Sequence, residues 1–445
     1  MGNLQQIKLI QGGMGVYVSN WRLARAVAME RPGETVGTVS GTALDVVFVR
    51  LLQLGDPGGH ARRAFAALDA KFDTDVGRKI CDHYFIEGGK DPDARFRSAP
   101  MQVVRSEDGK TTFAAPNGSS APTPLTLDSG IIELLIATGF AEVWLAKEGH
   151  DGNIFINFLN KIDLPLIYIL YGAMLAGVDG VIVGAGNPDG LPAVRSSLTR
   201  HEKVIRTLPV LYAGPGEQFT ISFDPKEVAG GAFARTPLQR PAFLAIASLE
   251  DLVSALAGSD SEAPDGFIIE HHTAGGHNAN PSGPLKRDDE GQPIYSERDE
   301  PNLAIIRDLG IPFWLAGGYG SHSGLQEALA AGACGVQVGS VFALTEESGM
   351  KPEYRTAVLK ELRNGTDDAA LVKTTLFSPT GFSFKVVQLK DTLSDDEVYE
   401  SRRRICDIGL LQQRGLSKPD EDGTRTLFQR CAAAPVDSYV GSRGI

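Results

Sequence analysis

Apolar residues in this chain gather in short runs bounded by Gly or Pro. Eight of them stand out: IKLIQGG (7–13), ETVGTVSG (34–41), NIFINFL (153–159), DGVIVGAG (179–186), PAFLAIAS (241–248), DGFIIEHH (265–272), IPFWLAGG (311–318) and CGVQVGS (334–340). Several are continuous rather than alternating, the pattern of a strand buried on both faces of a parallel sheet. Eight is the number needed to close a (β/α)8 barrel. Between the runs the apolar spacing becomes helical. Ser19 or Asn20 is placed to cap a helix through Leu23, Ala26 and Val27, and Ser323 another through Leu325, Ala328 and Leu329 that ends at Gly332. The segments LAGVDGVIVGAG, DLGIPFWLAGG and AAGACGVQVGS share the order helix, Gly, strand, Gly. Strands alternating with helices predict an α/β fold with a parallel sheet. A doubly wound sheet is the alternative, but Gly-rich strand ends recurring along the whole chain suit a (β/α)8 TIM barrel better.

Three regions exceed a minimal barrel, which is expected to span residues 1–350. A polar, Gly/Pro-rich stretch (about 75–140, with AAPNGSSAPTP at 114–124) reads as an excursion after the second strand. A stretch around the fifth strand (about 207–240) has two β-prone runs about Gly-Pro-Gly and reads as a hairpin insertion. Residues 351–445 follow the eighth strand and read as a helical extension packing on the barrel, with helices from Glu353 to Asn364 and from Asp395 to Gln413. AEVWLAKE (141–148) is a further strand candidate.

Composition narrows the function classes. A net charge of −12 argues against nucleic acid or an anionic membrane as partner. No unbroken apolar run reaches the 18 or so residues of a membrane span, and MGNLQQIKLIQGG does not read as a secretory signal. Myristoylation at Gly2 is rejected because Gln6 stands where Ser or Thr is required. Cys81, Cys334, Cys406 and Cys431 are too scattered for a disulfide framework or a zinc pair, so a cytoplasmic protein with reduced thiols is expected. Glycine is enriched, at 51 of 445 residues, and sits where strands end and a backbone must turn or approach something closely.

Barrel enzymes carry their chemistry at the C-terminal ends of the strands, often with a phosphate site after strands seven and eight. Strand seven ends Ala316-Gly317-Gly318 and strand eight Gln337-Val338-Gly339-Ser340, a pair of rims whose main-chain N–H groups suit a phosphate; singly, each is an ordinary tight turn. Strand one ends Gln11-Gly12-Gly13-Met14-Gly15, where an apolar side chain between glycines suits a flat ring. Gly184 closes a further rim on strand four, and Asn157 offers an amide within an apolar strand, to a ligand or to a partner in the core. Strand six ends Glu270-His271-His272-Thr273-Ala274-Gly275-Gly276-His277. Metal binding, general acid–base work and cofactor packing all compete there. No carboxylate is obviously convergent, so no metal site is expected; His277 is favoured as the acid, base or electrostatic partner, and His271 and His272 as loop hydrogen bonders. Cys334, before strand eight, is at the stability face.

Taken in order, IQGGMG, GTVSG, VIVGAGNP, TAGGHNANP, PFWLAGGYG and GVQVGSVFALTEES resemble the nitronate monooxygenase family, FMN-containing (β/α)8 barrels once called 2-nitropropane dioxygenases. The bacterial flavin enoyl-acyl-carrier-protein reductases share that barrel and several motifs. The resemblance runs from about Ile10 to Met350, with breaks at the two insertions. It implies FMN as cofactor, with Gly13 and Met14 facing the flavin ring, and Ser40, Gly41 and Asn157 near the ring or ribityl chain. It further implies Gly276 supporting the cofactor, Gly317, Gly318, Gly339 and Ser340 holding the phosphate with Gln337 beside them, and His277 as the catalytic histidine. It implies oxidation of a small alkyl nitronate, with the reduced flavin then meeting O2 without a nicotinamide.

This chain departs from the family at Thr273, where an acidic residue is usual, and at His271-His272, where smaller residues are common. The tail motifs SPTGFSFKVVQL (378–389), RRICDIGLL (403–411) and QRCAAAPVDSYV (429–440) resemble a longer bacterial branch that includes a trans-acting enoyl reductase of polyunsaturated-fatty-acid synthesis. The alternative function is therefore an NAD(P)H-dependent enoyl-thioester reductase working with an acyl carrier protein. Arg402-Arg403-Arg404 is its candidate docking patch, though such a run is also an ordinary solvated helix face. A flavin-binding protein without turnover is the third reading. A homodimer is an expectation with no residue-level argument.

Overall fold

In the computed structural model, residues 4–114, 121–366, 371–375, 384–401 and 410–431 are described. Eight strands form a closed, all-parallel barrel: β1 (Leu9–Gln11), β2 (Thr35–Ser40), β3 (Asn153–Leu159), β4 (Gly180–Gly184), β5 (Ala242–Ala247), β6 (Gly266–Glu270), β7 (Phe313–Ala316) and β8 (Gly335–Val338). These are the eight apolar runs, in order. The sheet closes where β1 meets β8, in the register Leu9↔Val336, Ile10↔Gln337 and Gln11↔Val338. The strands can come this close at that seam because position 335 is Gly: a Cβ there would lie 2.3 Å from the Lys8 carbonyl oxygen.

The barrel interior is filled by Ile7, Ile10, Val36, Phe155, Ile182, Leu244, Ile268, Trp314 and Ala316, an apolar plug rather than a pore. Trp314 is fully buried, and its indole N–H donates to the Ile7 carbonyl at 2.9 Å. A second, larger apolar layer lies between barrel and helices. Asn20 caps the first helix, Trp21–Glu30, its side chain accepting from the N–H groups of Arg22 and Leu23. The helix after β7, His322–Ala330, is capped by Ser321 rather than Ser323, because the Ser321 hydroxyl is the one that reaches the Gly324 N–H.

AEVWLAKE is not a strand. It is the last part of a helix, Ser129–Lys147, that is buried without a break from Leu134 to Val143. Continuous burial removes the amphipathic period, so a helix enclosed on all sides reads like a buried strand. This helix is also long and apolar enough to cross a membrane by length and composition, although polar residues interrupt its apolar stretches; here it is a core helix packed most heavily on Asp163–Leu175.

The first excursion opens on a helix, Val76–Tyr84, which packs on the preceding helix His60–Phe72, and then turns to loop and short strands. In the second, the two runs around Gly-Pro-Gly do not pair with each other: Phe219–Phe223 pairs antiparallel with Val204–Thr207, ahead of both, and Val210–Leu211 is taken up by a tail strand instead. Phe219–Ile221 also pairs with Thr123–Leu125 of the first excursion, so the two insertions build one sheet. The tail joins them. Pro352–Arg363 is helical as expected, but the second tail helix is described only over Asp396–Ser401, and Gln412–Leu416 is a strand paired with Thr424–Cys431. That pair takes up Val210–Leu211 on one edge and Thr112–Ala114 on the other. Two ion pairs fix it: Arg414 on Asp163 at 2.6 Å and Arg425 on Glu217 at 2.5 Å, both arginines nearly fully buried. Arg402-Arg403-Arg404, Cys406 and most of the last tail motif lie outside the described residues.

Two stability measurements follow. Trp314→Ala should cost about 3–5 kcal/mol in urea unfolding. Trp314→Phe should cost less, about 1–3 kcal/mol, because it keeps most of the volume but strands the Ile7 carbonyl. Glu142 is fully buried, and burial pushes its carboxyl up to about 8, against smaller opposing effects of the Trp21 backbone and Arg22. The folded state therefore holds a proton that the unfolded state releases, and stability should fall as pH rises from about 4.5 to about 8. Glu142→Gln should flatten that fall, its melting temperature gaining on the wild type steadily over that range. Parallel pH profiles would contradict this.

Candidate active site

The glycine-rich rims meet at the C-terminal mouth of the barrel. Gln11, the last residue of β1, organises the first of them. Its amide donates to the Gly12 carbonyl (2.6 Å) and the Ser19 hydroxyl (2.8 Å), and its carbonyl accepts from the Thr38 N–H (2.8 Å). Ser19 in turn accepts from the Met14 N–H at 2.9 Å. The loop carrying Gly13 and Met14 is thus tied to β1 and β2 by a buried and fully used amide. Gly13 lies so close to Asn157 that a Cβ would stand 2.2 Å from the Asn157 Cβ. Met14 reaches across to β8, its sulfur 3.7 Å from where a Cβ on Gly339 would be. Ser40 is in register with Asn157, and the Gly41 N–H donates to the Asn157 carbonyl at 2.8 Å. Gly13, Met14, Ser40, Gly41, Asn157 and Gly339 therefore form one continuous surface.

The other rims adjoin it. Gly275 faces Ser340, whose hydroxyl oxygen lies 2.6 Å from a Cβ built on Gly275. Gly317 (φ +95°) and Gly318 (φ +81°) take the left-handed backbone that lets the chain turn sharply out of β7, against Thr273. Gly276, at φ +73°, begins the two-residue strand Gly276–His277. Gly184 lies apart from this group, packed on Ile246. The Asn157 amide is not idle, since it also approaches the Ile182 carbonyl at 3.4 Å.

Register shows what faces into the mouth. Gln337 is paired with Ile10 and Thr38 with Phe155, and both partners belong to the interior plug. Residues in register share a face, so Gln337 and Thr38 look inward too. Among the described residues, the Gln337 side-chain oxygen and the Thr38 hydroxyl are buried polar atoms without a hydrogen-bond partner. Glu270, two residues beyond the interior Ile268, faces the same way, and burial pushes its carboxyl up to about 7 against the pull of Lys385.

His277 is reached by residues that the sequence pattern did not single out. The tail strand Phe384–Val387 pairs antiparallel with Gly276–His277 and lays the Phe384 ring 3.8 Å from the imidazole. Lys161, just beyond β3, stands 5.5 Å from the same ring. Lys385 donates to the His272 carbonyl at 2.5 Å. The mouth is therefore strapped by the tail, and two cations lie beneath or beside the strap. Burial, and then the Lys161 charge, lowers His277 to about 4; burial alone brings Lys161 down to about 8. His277 is thus neutral at pH 7, able to accept a proton or donate a hydrogen bond. No motif marks Lys161, and Phe384 lies within the tail motif SPTGFSFKVVQL without any sign there of its tie to His277, which only the folded chain makes.

His271 and His272 do meet a carboxylate. Glu300 lies 2.9 Å from the His271 Nε2 and 3.4 Å from the His272 Nε2. The sequence hides this convergence because 28 residues of loop separate the two.

Comparison with known proteins follows from this geometry. Residues 241–378, which include β5 to β8 and His277, match the family model described as nitronate monooxygenase. The match takes in the second half of the barrel and the start of the tail, and it is a likeness of that stretch alone to the family. Curated protein sequences include no match. Among solved structures, the chain is similar in shape to FabK from Thermotoga maritima (13% identity over 86% of this chain and 72% of that one, TM-score 0.42). It is similar also to nitroalkane oxidase from Streptomyces ansochromogenes (14%, 86% and 76%, TM-score 0.43) and to the enoyl reductase domain of MlnA from Bacillus amyloliquefaciens (11%, 90% and 69%, TM-score 0.41). Likeness at that level carries no argument about activity.

Replacing Lys161 by Met keeps the side-chain bulk and removes the charge that helps lower His277. The His277 titration, followed by the imidazole NMR signals, should move upward from about 4. An unmoved titration would mean that burial alone sets it.

Proposed function

We propose that this chain is an FMN-dependent oxidoreductase that oxidises a small alkyl nitronate with O2. The observation that carries the reading is the convergence of the β1, β7 and β8 rims on one mouth, floored by the buried and partnerless Gln337 oxygen and Thr38 hydroxyl. Such atoms are costly in a protein interior unless a ligand meets them. The donor set suits a flavin: Gly13, Met14 and Asn157 for the ring; Thr38, Ser40, Gly41 and Gln337 for ring edge or ribityl hydroxyls; Gly317, Gly318, Gly339 and Ser340 for the phosphate. FMN held there would supply a two-electron acceptor that O2 can reoxidise.

The side chains above that floor suit an anionic substrate. Lys161 brings positive charge to a half-buried position, where an anion is held more strongly than in water. His277, neutral and desolvated, can accept a proton from the substrate carbon or steady its oxygens by a hydrogen bond. Phe384 covers the imidazole and keeps water off it. Gly184, packed on Ile246, is the weakest member of the expected set.

Anaerobic mixing tests the proposal. Propionate-3-nitronate should bleach the yellow protein, and NADH or NADPH should not. Rapid bleaching by either nicotinamide would overturn the nitronate reading in favour of an enoyl-thioester reductase served by an acyl carrier protein. A colourless protein that cannot be reconstituted with FMN would remove both. His277→Ala should retain the flavin spectrum and lose roughly 10²- to 10⁴-fold in turnover.

A further inference from the structure

We propose that His271, His272 and Glu300 form a binding site for a divalent transition-metal ion at the rim of the barrel, beside the mouth and independent of the flavin reading. Their ligand atoms all lie within 4.8 Å of one another, with the carboxylate 2.9 Å from one imidazole nitrogen and 3.4 Å from the other. Ligands about 2.0–2.1 Å from a tetrahedral ion stand roughly 3.3–3.5 Å apart, so the three atoms need to shift only a little to share one.

The site is built rather than incidental. The His271 N–H still donates to the Ala316 carbonyl at 2.9 Å, so the first ligand rides on the end of the barrel sheet. The His271 Nδ1 lies 2.7 Å from the Thr273 hydroxyl, with the Thr273 N–H a longer neighbour at 3.3 Å. Without an ion, the imidazole proton sits on Nε2 and is donated to Glu300; an ion taking the Nε2 lone pair would move that proton to Nδ1, where the Thr273 hydroxyl can accept it. This is the outer contact that fixes the tautomer of a metal-bound histidine. The His272 ring is stacked on Tyr295 at 4.0 Å and 9°, and Tyr295 is itself anchored by its hydroxyl to the Ala279 carbonyl (2.9 Å). Glu300 follows a turn closed by Asp299, whose carboxylate accepts from the N–H groups of Ser282 (2.6 Å) and Ser296 (2.7 Å). All three ligands thus stand on backbone fixed by other contacts.

Two imidazoles and one carboxylate select Zn2+, Co2+, Ni2+ or Fe2+ over Mg2+ and Ca2+, which prefer oxygen alone. Three protein ligands leave coordination positions for water. The Glu300 side chain is 55% exposed, which leaves the site accessible. Lys385 opposes binding through its charge, but it is bonded to the His272 carbonyl, and the Glu300 carboxylate offsets it. A bound ion would join the end of β6 to the 297–300 turn. Through Thr273, whose hydroxyl lies 3.0 Å from a Cβ built on Gly317, it would also brace the Gly317-Gly318 turn.

The test uses untagged full-length protein, stripped with a chelator, dialysed and titrated with Zn2+ by calorimetry and with Co2+ by visible absorption. The expected result is one saturable equivalent per chain, with cobalt ligand-field bands. Glu300→Gln and His272→Ala should abolish it, Thr273→Val should weaken it roughly tenfold, and His322→Ala should leave it unchanged. Glu300→Gln is a near-isosteric change of a half-exposed residue, and circular dichroism checks that it folds. Absence of saturable binding by the wild type, or binding that survives Glu300→Gln and His272→Ala, would overturn the proposal and leave the trio as a hydrogen-bonded clasp.

Discussion

Closure of the sheet between β1 and β8 is the constraint on which the rest of the molecule depends. It joins residues more than 300 positions apart, in a register that sets Ile10 beside Gln337. From that pairing follow the approach of Met14 to Gly339, the inward aim of the Gln337 side chain, and the meeting of the first rim with the last two. Trp314 secures the seam from inside by holding the carbonyl of Ile7, just ahead of β1. Gly335 secures it by having no side chain to keep the Lys8 backbone away. The mouth is therefore a consequence of how the barrel closes, and its chemistry inherits the rigidity of a packed interior.

Around the mouth the governing effect is loss of water. Four ionisable groups there are displaced mainly by burial: Glu270 upward, and His277, Lys161 and Lys385 downward. The direction is the same in each, toward the uncharged form. Coulombic contacts are secondary, with Lys161 acting on His277 and Glu270 and Lys385 acting on each other.

The barrel itself was legible in the sequence because every strand is a short apolar run with Gly or Pro at one or both of its bounds. The rims were legible for the same reason. What pattern could not show was any feature made by long-range pairing. AEVWLAKE misled because a helix buried on all sides loses its period. Gln412–Leu416 continued an apparently helical run, yet it finds strand partners in Thr424–Cys431 and Val210–Leu211. Glu300 looked remote from His271 because loop length conceals closeness. Lys161 carries no motif, the tail motif that holds Phe384 says nothing of His277, and the fold alone brings the three together. Gln11 reads in the sequence only as part of a glycine-rich turn, although its amide is what holds that turn in shape.

The strap over His277 has a consequence for the order of synthesis. His277 leaves the ribosome more than a hundred residues ahead of Phe384, the residue that covers it. A nascent chain emerging as far as β8 holds every strand of the barrel and every rim glycine, yet its histidine still faces water. The share of its desolvation that Phe384 provides comes only with the tail. Of the parts of the mouth described above, the cover over the imidazole is thus the last to be synthesised.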